Sequence, residues 1–112
     1  MSPDFLTSYQ TLTAGNTGLV AQAKKTTLCG WSISNSGAAI QHVKLYNKAT
    51  APSAADAPVL RISVPAGQTV SFSLPGGVVF SAGLSLRSVT TMPDAGATGS
   101  TAGEVAVNLF FQ

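Results

Sequence analysis

What the chain lacks narrows its chemistry. Its 112 residues hold one His, one Cys and four carboxylates. Acid–base catalysis by paired carboxylates needs two such groups brought together in different environments, yet Asp4, Asp56, Asp94 and Glu104 stand in four separate segments. A zinc centre takes three or four His, Cys or carboxylate ligands, so this chain falls short unless subunits share the ion. Asp94 with nearby carbonyls is a candidate for calcium, but no EF-hand or repeat loop accompanies it. A Cys29–His42 nucleophile is conceivable. The simpler expectation is that Cys29 is a small buried group on the Trp31 and Ile33 face, and His42 a surface or interface side chain. Gly76-Gly77 is followed by neither Lys-Ser/Thr nor a helix start, so it is a turn and not a phosphate cradle. The expectation is no enzyme, no cofactor and no metal.

Charge is scarce as well, at 9% of residues against an average near ~25%. The net charge of +2 rests on six cations, and only Lys24 and Lys25 are adjacent. Nucleic-acid binding calls for a clustered basic stripe with interleaved aromatics, so no nucleic-acid partner is expected. A single cysteine forms no intrachain disulfide, and the chain shows no sign of oxidative maturation. Met1 to Phe5 has neither a cationic start nor an apolar run of a secretory leader. No stretch approaches ~18 consecutive apolar residues, so no membrane is expected despite a mean hydropathy of +0.29.

What is present is alternation. Gly, Pro, Ser and Thr interrupt every window long enough for a helix, and apolar residues recur at every second position. Thr26 to Asn35 and Ala38 to Tyr46 are predicted as an antiparallel pair joined by the turn Asn35-Ser36-Gly37. In the second of these, Ile40, His42, Lys44 and Tyr46 face one way and Gln41, Val43 and Leu45 the other. Further strands are predicted at Leu19 to Ala23, Val59 to Val64, and Val70 to Leu74, the last broken by Pro75-Gly76-Gly77. Leu84 to Val89 follows, then Glu104 to Gln112, whose apolar row Val105, Val107, Leu109 and Phe111 marks a strand docked inside a sheet. Phe5 to Thr13 is either a strand or an extended arm. The polar stretches Asn47 to Pro58 and Thr90 to Gly103 suit crossovers between sheets. About eight short strands of this kind indicate an all-β, single antiparallel β-sandwich, jelly-roll-like or Greek-key, covering residues 1–112 with 1–13 as a detachable arm.

Such a protein works as a surface. Trp31, Tyr46 and the Phe residues offer a platform for sugar stacking, but core packing accounts for Trp31 and Phe72, leaving Tyr9 and Tyr46 as contact residues. The candidate partner-binding residues are Phe5, Leu6, Tyr9, Tyr46, Asp56 and Asp94. They lie within or beside three contact regions, Ser2 to Thr13, Lys48 to Ala57 and Thr91 to Ala102.

The segments Cys29-Gly-Trp-Ser-Ile-Ser-Asn35, Val43-Lys-Leu-Tyr46, Pro52 and Pro58, Val64-Pro-Ala-Gly67, Gly83-Leu84 and Val107-Asn-Leu109 form a recurring pattern. It resembles the small β-sandwich virion proteins of tailed bacteriophages, over about residues 26–112. The resemblance implies a capsid cement or decoration protein on the capsid exterior, made in the host cytoplasm. It further implies binding to the major capsid protein and to copies of itself. The alternative is a tail or head-fibre component that binds a host receptor or glycan. No catalytic residue carries over, and the first 25 residues lie outside the match.

Overall fold

The computed structural model describes residues 6–93, 96, 98–101 and 103–112. They include eight strands: β1 (Thr7–Thr11), β2 (Leu19–Gln22), β3 (Thr26–Asn35), β4 (Gln41–Asn47), β5 (Leu60–Val64), β6 (Thr69–Phe80), β7 (Leu84–Val89) and β8 (Val105–Phe111). They form two four-stranded antiparallel sheets, β1-β8-β3-β6 (sheet A) and β2-β7-β4-β5 (sheet B). Among the described residues there is no helix, and hence none long and apolar enough to cross a membrane.

The topology is that of one long hairpin wrapped over two layers. β4 pairs with β5, β3 with β6, β2 with β7 and β1 with β8. Every connection except β4–β5 passes from one sheet to the other. This nested arrangement is a jelly roll. The 90–104 segment does cross between sheets, whereas 48–59 joins neighbouring strands of sheet B and is not a crossover.

Period-two alternation builds the core. Leu28, Ile33, Val105, Val107, Leu109 and Phe111 come inward from sheet A, and Val43, Leu45, Ile62, Val64, Leu84 and Leu86 from sheet B. Each fully buried aliphatic or aromatic side chain contributes about 1.5–3 kcal/mol. β8 lies between β1 and β3, so its apolar row is at the middle of the sheet.

Three local expectations are corrected. β3 and β4 do not pair, because they lie in opposite sheets. A tight two-residue hairpin turn needs positive φ, and neither Asn35 nor Gly37 has it. Instead the buried Asn35 side chain turns a corner. Its Oδ1 accepts from Gly37 N at 2.9 Å, and its Nδ2 donates to Ala39 O at 2.8 Å and Val64 O at 3.0 Å. Next, Pro75-Gly76-Gly77 is a bulge within β6 and not its end. Ser73 faces Gly30 while Val78 faces Leu28, and the surplus residues are absorbed by Gly76 (φ 81°) and Gly77 (φ 74°). Proline is tolerated there because β6 is an edge strand. Finally, the matching irregularity in β3 falls between Leu28 and Gly30, so Leu28 fills the core and Cys29 is only half-buried.

Candidate functional site

The two outer faces of the sandwich differ, and the difference sorts the predicted residues. On sheet B, strand alternation turns His42, Lys44 and Tyr46 of β4 away from the core, opposite Val89, Arg87 and Ser85 of β7. These residues are nevertheless buried, with Lys44 0%, Tyr46 1%, Arg87 1% and His42 5% exposed. Residues 12–18 and the described residues 90–93, 96 and 98–101 of the long connection after β7 are bonded to these strands and form a roof over this face.

The two cations hold the roof. Arg87 donates from Nε to Asn16 O at 3.0 Å, from Nη2 to Gly96 O at 2.8 Å and from Nη1 to the Tyr46 hydroxyl at 3.1 Å. Lys44 Nζ donates to Pro93 O. Beside them Ser88 N donates to Gly15 O at 2.8 Å, Ser100 N to Ser88 O at 3.1 Å, and Gly103 N to Leu12 O at 2.8 Å. On the other, core-facing side of sheet B, where Gln41 and Ser88 stand opposite Val64 and Val43, Ser100 Oγ bonds Gln41 Oε1 and lies 2.6 Å from Ser88 Oγ. Guanidinium offers five donors in a fixed fork, which suits it to gathering carbonyls from two separate loops. His42 Nδ1 lies 2.9 Å from Ser63 Oγ. Burial, and then the Lys44 charge, push its pKa below the ordinary 6.5.

Tyr46 and His42 are therefore interior groups and present no surface to a partner, contrary to the expectation for both. Alternation places them on the far side from the core, and the roof then covers that side. Asp56 belongs to the β4–β5 loop. Its carboxylate accepts from Lys48 Nζ at 2.9 Å and from Ser53 N at 2.8 Å, and these bonds hold its pKa below the ordinary carboxylate value. It closes its own loop. Asp94 and Phe5 lie outside the described residues.

Sheet A is open. Its outward side chains include Ser8 and Gln10 on β1, Asn108 and Phe110 on β8, Ser32 and Ser34 on β3, and Thr69, Ser71 and Ser73 on β6. None of its four strands contains Asp, Glu, Lys, Arg or His. The hydroxyls bond each other across the strands, Ser34 to Thr69 at 2.8 Å and Ser71 to Ser32 at 3.0 Å. Asn108 Nδ2 donates to Ser32 O at 3.1 Å.

Two depressions open on this sheet. One, of about 440 Å³, is bordered by Gln10, Leu12 and Asn108. The other, of about 300 Å³, is bordered by Leu6, Cys29 and Phe110 on one side and Ser32, Ser71 and Ser73 on the other. Leu6 is 51% exposed and stands at the rim of the second. Tyr9 is half-buried and packs on the core from β1. Among the described residues no group of three or more His, Cys, Asp or Glu is placed to hold a metal.

Arg87 and Lys44 were not marked by the sequence pattern as functional. The available signal was their rarity, because together with Arg61 they are the strands' only lysine and arginine residues. No family model matches the chain, and no curated protein or solved structure matches it.

Proposed function

We propose that the protein is a bacteriophage virion structural protein, a capsid cement or decoration protein that binds the major capsid protein shell as a homo-oligomer. The observation that carries this reading is the charge-free, hydroxyl-lined outer face of sheet A, displayed on a sandwich whose opposite face is roofed. Short hydroxyl side chains lose little freedom on contact, and no ion on these strands must be stripped of water. Several modest patches of this kind, held on one body, bind a lattice through avidity. Jelly rolls recur among viral capsid domains, a likeness of fold that adds support without naming a function.

The test is reconstitution. Purified protein is added to shells that lack it, and binding is followed by co-sedimentation. The expected outcome is saturation at a fixed ratio to the capsid subunit, with shells that resist heat and osmotic shock better than bare ones. Ser32→Arg and Ser71→Arg, on the open face, are expected to weaken binding, while Lys24→Glu, outside sheet A, leaves it unchanged. Protein that never co-sediments overturns the reading.

A second reading, a tail or head-fibre component that binds a host receptor or glycan, draws on the 300 Å³ depression. An apolar wall facing hydroxyls is the chemistry of a neutral sugar. Signal on a glycan array that is lost in Phe110→Ala favours this alternative.

A further inference from the structure

Exposed sheet edges are templates for strand pairing, and proteins guard them with charge, brevity, bulges or proline. The four edges here are guarded unequally. β5 carries the exposed Arg61, β2 has only four residues and an irregular register, and β1 has five residues. β6 is the longest strand, with 12 residues, and no charged residue interrupts it. Its guard is the Pro75-Gly76-Gly77 bulge, which protects only the second half. The stretch before Pro75 has no such device.

Val70, Phe72 and Leu74 turn to the core side of the sheet, opposite Ile33 and Trp31 of β3. Val70 and Leu74 pack on the core, whereas Phe72 remains 55% exposed. Its ring meets Trp31 at 5.5 Å between centroids and has nothing described beyond it. A core-facing aromatic left open at an edge is a row of side chains awaiting its next strand.

The sequence of this stretch says which strand. Val70-Ser71-Phe72-Ser73-Leu74 is chemically palindromic about Phe72. A two-fold axis perpendicular to a sheet reverses strand direction and preserves its faces, so paired residues must share a face and the axis must pass through a residue. Centred on Phe72, the pairing sets Phe72 against the partner's Phe72, Ser71 against the partner's Ser73, and Val70 against the partner's Leu74. Every apolar side chain meets an apolar one and every hydroxyl a hydroxyl, with no charge to repel. A foreign strand has no reason to match this symmetry.

We propose that β6 pairs antiparallel with β6 of a second copy about a two-fold axis at Phe72, joining the two sheets A into one continuous sheet. The inference deepens the homo-oligomeric part of the function proposed above and is independent of shell binding. Pro75 limits the pairing to a short segment, smaller than a standard permanent interface, so the dimer is reversible and concentration-dependent.

Sedimentation velocity on the full chain over a rising concentration series is expected to show a monomer–dimer equilibrium. Phe72→Lys is expected to raise the dimer Kd at least about tenfold, because it sets like charges opposite each other at the axis, while the lost Trp31 contact lowers the melting temperature only slightly. In a Cys29→Ser background, Phe72→Cys is expected to give a disulfide-linked dimer on oxidation, whereas Val79→Cys, beyond the bulge, gives none. A chain monomeric at every concentration, or a dimer indifferent to Phe72→Lys, overturns the inference. A wild-type dimer sensitive to Phe72→Lys that never binds shells supports it while ending the cement reading. Shell binding by a strict monomer does the reverse.

Discussion

Sheet B carries every charged strand residue and sheet A carries none, yet sheet B is covered over β4 and β7 and meets water on its outer face at the β5 edge, through Arg61 and Ser63, whereas the uncharged outer face of sheet A is bare across its strands. Lys44 and Arg87 are spent inside, donating to carbonyls of the roof. Sheet A keeps its contact with solvent through Ser, Thr, Asn and Gln. The buried charges fasten loops, and hydroxyls dress the face of sheet A. A chain with so few ions can therefore bury two of them and still leave a mild face for a partner.

The comparison is open to direct attack. Arg87→Leu leaves the buried Tyr46 hydroxyl without its donor, where an unsatisfied group costs about 1–3 kcal/mol, and releases the part-exposed carbonyls of Asn16 and Gly96. A loss of about 2–3 kcal/mol is expected, read as a lowered urea midpoint at constant m. Ser100→Ala removes the bridge between Gln41 and Ser88 and is expected to cost about 1–2 kcal/mol by the same measurement. On sheet A, Ser32→Ala and Ser71→Ala are expected to stay within about 0.5 kcal/mol of wild type. Should either cost as much as Arg87→Leu, the distinction between fastening and dressing fails.

Acid sharpens the contrast without mutation. Folding lowers the His42 pKa, so the unfolded chain takes up the proton first. The contribution is whole above the ordinary 6.5 and is lost as pH falls through that value toward the folded one. His42→Gln is expected to flatten the slope of melting temperature against pH in this window. Asp56 acts in a separate range, since its lowered pKa gives stability that is lost only as pH falls below the ordinary 3.8.

Strand positions were legible because alternation is local. The predicted Thr26–Asn35 and Leu84–Val89 coincide with β3 and β7, and the four period-two apolar residues of β8, Val105, Val107, Leu109 and Phe111, are all buried. Pairing was less legible. Asn35-Ser36-Gly37 has a hairpin's composition, and only the distant Val64 carbonyl, bound by Asn35, reveals a corner. Burial on the second face was not legible at all. Alternation says that Tyr46 points away from the core, but a roof built from loops far along the chain leaves no periodic trace. Leu6 was placed at the surface from its sequence, where it stands beside a depression, whereas Asp56 proved to be a loop clasp.

The central seat of β8 in sheet A sets the timing of assembly. Both β1 and β3 need it as a neighbour, so a nascent chain that has emerged only as far as β7 has an unfilled slot through the middle of one layer. Sheet A is therefore expected to close only once β8 is available, to be seen as late, joint hydrogen-exchange protection of β1, β3 and β8 on refolding. A nonsense codon anywhere before residue 105 would thus yield a product for proteases instead of a smaller domain.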